Sequence, residues 1–220
     1  MVDFAQARRM MVDSQLRTFD VNDVPLLDAM DEIPRERFVP QGRESLAYID
    51  QDVLVGPGAE RRSMLAPMVL ARMIQALSVG PGMRVLDVAP GLGYSSAVLA
   101  RLGATVTALE SSDGLAASAR ECLAAAGVSG VTVAVGPLDH GHADGAPYDA
   151  ILVNGSVIKR PAALLEQLAE GGRLICVHGR GRSAKVTLYV RGDRAIGART
   201  VFDAAAPVLP EFEPEPAFEF

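Results

Sequence analysis

The chain has 220 residues, 49% of them hydrophobic, and a formal charge of −6 at neutral pH. That length and apolar share allow one domain with an appendage and a large core, and they exclude disorder for the bulk of the chain. The acidic balance speaks against a nucleic-acid partner, because the basic groups Arg8-Arg9, Arg61-Arg62 and Arg180-Gly181-Arg182 are each small.

No apolar run reaches the length needed to span a bilayer, so no membrane partner is expected. Cys122 and Cys176 lack a spacing suited to zinc and read as buried thiols of a reducing compartment. With no leader-like segment at the start, the expectation is a soluble cytoplasmic protein. His140, His142 and His178 read as loop or strand-end histidines, and no metal site is expected.

Along the chain, residues 1–45 are helical in pattern, with Asp20 and Asn22 as caps and Pro34 as the stop. Residues 47–55 carry the partial alternation of short strands or a lid edge. Gly56-Pro57-Gly58 then breaks the chain and introduces a polar segment reaching Pro67. That segment reads either as a loop closing over a pocket or as an inert surface loop. From Pro67 the apolar spacing Met68, Leu70, Ile74, Leu77 predicts an amphipathic helix.

The run Arg84 to Val88 predicts a buried parallel strand, and Tyr94, Ala97, Val98 and Leu102 recur as the face of a helix. Between them Gly91 and Gly93 form a turn where backbone comes close to something, at a helix N-terminus suited to a polar or anionic group. The next apolar run, 105–109, ends in Glu110, a carboxylate placed to accept hydrogen bonds from a ribose diol. The third Gly of a dinucleotide fingerprint would fall at Ser96, so a nucleoside is a better fit than NAD.

Further on, helices at 115–126 and 161–169 alternate with strands at 131–135, 148–153 and 173–178, and strands at 186–190 and 199–202 pair as an edge hairpin. The tail carries Phe212, Phe218 and Phe220, which predicts docking on the domain. The fold class expected is α/β: a mostly parallel, doubly wound, Rossmann-like sheet with an N-terminal helical extension.

Asp87 before the Gly turn and Glu110 after the second strand resemble the S-adenosylmethionine (SAM) site of class I methyltransferases, with Ala89 and Pro90 departing from its usual Gly. With Pro34-Arg35-Glu36-Arg37-Phe38-Val39-Pro40, Met11-Val12, Gln15-Leu16, Ala47-Tyr48, Tyr148-Asp149-Ala150-Ile151 and Gly171-Gly172-Arg173-Leu174 in the same order, the chain resembles the protein-L-isoaspartate O-methyltransferase family over most of its length.

The resemblance implies a SAM-dependent carboxyl methyltransferase acting on isoaspartyl-containing peptides or proteins, and it leaves the oligomeric state open. It implies a helical or lid segment over residues 1–66, a SAM-binding core over 67–206 and a docked tail over 207–220. Cofactor contacts fall on Asp87, Ala89, Pro90, Gly91, Gly93, Tyr94, Glu110, Ser111, Gly136, Pro137 and Leu138. Ser63 keeps one hydroxyl of the family's acceptor segment, with Arg61 or Arg62 adding charge, while Leu65 stands where a second hydroxyl is usual. Restoring that hydroxyl with Leu65→Ser is expected to raise turnover. Pro137 replaces an Asp that would face the adenine, which leaves either Asp139 or the backbone of Pro137 and Leu138 to meet the base. These departures leave two alternatives: a SAM-binding protein without transfer activity, and a methyltransferase with another acceptor.

Overall fold

The computed structural model describes residues 3–56 and 62–213. Asp3 caps helix α1 (Phe4–Met11) through its side chain. A π-turn at Val12–Leu16 and a 3-10 turn at Arg17–Phe19 follow. Helix α2 (Val24–Glu32) is capped by Asp23, whose side chain accepts the Leu26 amide. The expected caps, Asp20 and Asn22, serve otherwise. Asp20 turns left-handed at φ 63° to close the preceding turn, and the Asn22 amide binds the Gln75 side chain.

Short strands β1 (Val53–Leu54) and β2 (Ser63–Met64) pair antiparallel and lead into α3 (Pro67–Leu77). The main sheet is built from β3 (Arg84–Val88), β4 (Thr105–Glu110), β5 (Val131–Val135), β6 (Tyr148–Val157), β7 (Leu168–His178), β8 (Lys185–Arg191) and β9 (Ile196–Asp203). Its order is β5-β4-β3-β6-β7-β8-β9. The pairings from β5 across to β7 are parallel, and β8 and β9 close the edge as the expected antiparallel hairpin. Strand order reverses between β3 and β6, so the turn after β3 lies at the switch point where such sheets bind ligands.

Alternation along the strands divides the core in two. Val85, Val106, Ala150, Leu152, Ile175 and Val177 pack with α3, with α4 (Tyr94–Arg101) and with the N-terminal segment from Met11 to Tyr48. Their neighbours Leu86, Leu109, Ile151, Val153, Leu174 and Cys176 face the other way, against α6 (Ala162–Glu166) and the C-terminal Leu209 and Phe212. Helix α5 (Asp113–Ala125) packs beside β4 and β5.

Two spans differ from the expected ones. The helix expected over 161–169 stops at Glu166 because Leu168 joins the sheet opposite Tyr148, while Arg191 binds the Glu166 and Leu168 carbonyls at 2.8 and 2.7 Å. Strand β6 runs on to Val157 because the C-terminal segment pairs with it: Ser156 N–H donates to Pro207 O at 2.8 Å, and Leu209 N–H to Ser156 O at 2.9 Å. Phe212 is 2% exposed, so this part of the tail docks as expected. Burying one such ring stabilises by about 1.5–3 kcal/mol. Phe218 and Phe220 lie outside the described residues. Cys176 is fully buried and its thiol is pushed up to about 12, whereas Cys122 is only half-buried. No helix among the described residues is long and apolar enough to cross a membrane.

Candidate active site

At the tip of β3 the ladder runs one residue past the strand, with Ala89 N–H donating to Leu109 O at 2.9 Å. There the chain turns: Ala89 at φ 57°, Gly91 at 62° and Gly93 at 95° are all left-handed. Gly93 is the N-cap of α4 and closes the turn through its amide on Pro90 O at 3.0 Å. Two of these positions carry the glycine that such backbone favours. Ala89 does not, and a Cβ in that region costs roughly 1–2 kcal/mol.

Asp87, one residue before the tip of β3, is fully buried. It accepts Ser95 Oγ at 2.7 Å, Ser96 Oγ at 2.6 Å and Asn154 Nδ2 at 2.6 Å, and Asn154 also reaches Val88 O at 3.1 Å. Burial nevertheless pushes its carboxyl up to about 6, with the three donors pulling the other way. Asp87 thus ties β3, β6 and the first turn of α4 into one unit. Ser95, Ser96 and Asn154 had no assigned role in the sequence reading. Asn154 alone left a signal, as a polar residue interrupting the apolar β6 run.

Glu110, at the tip of β4, is also buried, but its partners differ. Oε1 accepts the Gly91 amide at 2.7 Å, and Oε2 accepts Ser111 N–H at 3.2 Å and Arg62 Nε at 3.0 Å. Burial raises its pKa, opposed by Arg62 and by the Gly91 amide. Arg62 is itself 3% exposed. Its terminal nitrogen donates to Ser111 Oγ at 2.6 Å and to Glu211 Oε1 at 3.3 Å. The guanidinium is therefore turned inward onto Glu110, whereas the sequence reading aimed it at the acceptor. Arg61, its alternative, and the stretch 57–61 on which the lid reading turned lie outside the described residues.

The β1–β2 ribbon holds Arg62 over the glycine turn, with Val55 N–H donating to Arg62 O at 2.8 Å. A Cβ built on Gly91 would lie 2.7 Å from Val55 Cγ2, so a side chain there would force Val55 to shift, on backbone that is already left-handed. Arg35, fully buried, fastens the ribbon from behind. Its Nε donates to Ala47 O and one terminal nitrogen to Leu65 O, both at 2.6 Å, and its guanidinium lies 4.7 Å from the Tyr94 ring centroid. Arg35 thereby links the ribbon to the start of α4. In the sequence it stood out as part of the Pro34 to Pro40 segment that carries the family resemblance, with no sign of the partners it would bind.

The remaining expected residues divide in the same way. Gly136 stands beyond β5 with its amide on Glu110 O at 2.9 Å. Pro137 is exposed, while Leu138 is buried against Leu86, Leu109 and Tyr148. Asp139 is half-buried. Ser63 is half-buried opposite Leu54, one residue along the ribbon from Arg62. Leu65 is 1% exposed and belongs to the core, so Leu65→Ser would bury a hydroxyl among apolar side chains and is not a clean restoration.

The family model described as protein-L-isoaspartate(D-aspartate) O-methyltransferase (PCMT) matches residues 7–204. The chain belongs to this methyltransferase family. The protein-L-isoaspartate O-methyltransferase of Roseiflexus castenholzii is 43% identical over 190 residues, 86% of this chain and 85% of that protein. That of Methylorubrum populi is 43% identical over 175 residues, 80% of each chain. A solved protein-L-isoaspartate O-methyltransferase superposes with a TM-score of 0.82 at 26% identity, covering 92% of this chain and 65% of that one. The Plasmodium falciparum family protein, solved with S-adenosyl-L-homocysteine, has the same fold at 20% identity, with a TM-score of 0.78 over 93% of this chain and 98% of that one. The family uses SAM as methyl donor.

The donor set here fits a nucleoside of that kind. A strand-tip carboxylate able to accept a diol stands beside a glycine turn that is crowded at Gly91. The same carboxylate is also the one that holds Arg62.

Proposed function

We propose that this chain methylates the free carboxylate of isoaspartyl residues in damaged proteins, with SAM as donor, in a cytoplasmic setting. Glu110 carries the reading: it is a buried carboxylate on the strand beside the switch point, bonded to the amide of Gly91, a left-handed glycine against which Val55 leaves little room for a side chain. In this reading Glu110 holds the ribose diol, and Gly91 and Gly93 let the backbone approach the ligand. The further cofactor contacts in this reading are Tyr94, Ser111, Gly136, Pro137 and Leu138.

Bound SAM supplies a methyl group on a positively charged sulfur, open to in-line attack by a carboxylate oxygen. The carbon–sulfur bond breaks as the carbon–oxygen bond forms, and no proton needs to move. The residues of the chain therefore have to orient the acceptor and exclude water. Ser63 has the hydroxyl to hold the acceptor carboxylate.

A methyltransferase with another acceptor is the second reading, and Leu65 favours it: where the family resemblance calls for a hydroxyl, this chain has a core residue. The two are separated by transfer of label from methyl-tritiated SAM to an isoaspartyl peptide and to its aspartyl twin. Labelling of the isoaspartyl peptide alone is the expected result. Saturable SAM binding with neither peptide labelled, while another acceptor in extract is labelled, would hand the assignment to the second reading. In parallel, Glu110→Ala is expected to weaken SAM binding about ten- to a hundredfold, the worth of a hydrogen bond to a charged group. Unchanged affinity by calorimetry would take Glu110 out of the cofactor site.

A further inference from the structure

Arg62 and Glu110 sit 48 residues apart in sequence and meet where the proposed cofactor would need Glu110 for itself. A carboxylate has two oxygens, and here both are engaged: Oε1 by the Gly91 amide, Oε2 by Arg62 and Ser111. The Arg62 guanidinium joins parts of the chain far apart in sequence: Glu110 and Ser111 at the end of β4, and Glu211 in the C-terminal turn. Glu211 lies between Leu209 and Phe212, whose buried side chains seat that turn against the end of β6. The same ribbon presses Val55 onto Gly91. The acceptor-side ribbon, the glycine turn and the C-terminal turn are thus closed on one another through one cation.

We propose that Arg62 is an internal occupant of the ribose subsite, a latch that the diol of the cofactor must displace from Glu110. The inference rests on the cofactor reading given above. A diol can take over the carboxylate because it offers neutral hydroxyl donors in place of N–H donors, so Glu110 stays hydrogen-bonded after the exchange. Arg62, on a long side chain at the start of β2, leaves its buried seat for solvent and gives up Ser111 and Glu211 with it. Cofactor affinity is thereby reduced by the fraction of molecules that are latched, and binding releases the ribbon that carries Ser63. Ser63 is the proposed acceptor residue, so a latched molecule is closed to donor and acceptor together.

The test is calorimetric titration with S-adenosylhomocysteine of the wild type, Arg62→Ala and Glu211→Gln, with melting curves of each. Removing the latch is expected to tighten binding about tenfold in Arg62→Ala, equivalent to about 1.4 kcal/mol. Glu211→Gln, which keeps Arg62 and loses only an ionic partner, is expected to tighten it two- to fivefold. Both variants should melt lower than wild type without ligand and gain more from it. Trypsin supplies a readout that does not depend on a variant folding: cleavage of the wild type after Arg62 should quicken when S-adenosylhomocysteine is added. If the ligand binds the wild type as tightly as a folded Arg62→Ala, or leaves the cleavage rate unchanged, the latch is refuted and the cofactor reading stands. If it binds neither protein, the cofactor reading falls and takes the latch with it.

Discussion

Two buried carboxylates stand at the tips of neighbouring strands, and their partners set them apart. Asp87 is satisfied by Ser95, Ser96 and Asn154, neutral donors fixed on α4 and β6, elements that the core already holds. Glu110 is satisfied in part by Arg62, which arrives on a two-stranded ribbon outside the main sheet. Donors built into packed helices and strands cannot leave without unfolding something. A guanidinium on a ribbon can. The comparison assigns Asp87 to building the turn and Glu110 to exchanging partners, although periodicity and spacing treat the two residues alike.

The sharpest way to break this distinction is to remove each carboxylate in turn. Asp87→Ala takes the acceptor from the buried Ser95 and Ser96 hydroxyls and leaves Asn154 with the Val88 carbonyl alone, and a cost of about 2–4 kcal/mol is expected. For a chain of this size that lowers Tm by roughly 5–15 °C. Glu110→Ala without ligand should cost less, about 1–2 kcal/mol, because Arg62 is able to turn to water and the Gly91 and Ser111 amides are the backbone donors that lose an acceptor. Urea unfolding of both variants decides it. Equal losses would mean that Glu110 is as structural as Asp87 and that its Arg62 contact is fixed.

Protonation offers a second test on the same pair. The Asp87 carboxyl stands at about 6 in the folded chain against an ordinary value of 3.8. A carboxyl raised by folding favours the folded state when protonated, so its contribution is full below about pH 4 and is lost as pH rises through 6. A gap of that size corresponds to about 3 kcal/mol. Glu110 shifts the same way, while Glu32 and Glu44 are lowered and act in the opposite sense. Comparing the wild type with Asp87→Asn cancels those other groups. The stability of Asp87→Asn relative to wild type should climb between pH 4 and pH 7 and then level off. A flat difference across that window would show that the donors around Asp87 outweigh its burial.

Much of the frame was legible because it has local signatures. The alternation of Val85 and Leu86 and of Ile151 and Leu152 reports two covered faces, and Gly91 with Gly93 reports a turn of unusual backbone. The acidic tip of β4 was legible from its distance to that turn. What failed to show was pairing between side chains far apart in sequence, such as Asn154 with Asp87 across 67 residues or Arg62 with Glu211 across 149. No periodicity encodes such contacts. Leu65 was legible only in part, for a related reason. Aligned with a hydroxyl position, it reads as a damaged acceptor residue, whereas the Arg35 bond to its carbonyl and its place in the core give it a packing role of its own.

The smallest expected effect sharpens the comparison from the fixed side. Ala89 holds φ 57° because the ladder to Leu109 and the turn at Gly91 leave it no other course, and its strain is confined to the unit that Asp87 organises. Ala89→Gly removes a cost of roughly 1–2 kcal/mol in the folded chain but adds about 0.5–1 kcal/mol of freedom to the unfolded one. The net gain should be a few tenths of a kcal/mol to about 1 kcal/mol, readable as a rise of a few degrees in Tm. Ala89 is fully buried, its amide is held by Leu109 O and it is not among the hydrogen-bond partners of Glu110, so the affinity for S-adenosylhomocysteine should stay within about twofold of wild type. A stabilised variant with unchanged affinity would show that the β3 tip is scaffold and the β4 tip is the part that meets ligand. A large change in affinity would mean instead that the strain at Ala89 shapes the site itself, and that the two strand tips work as one.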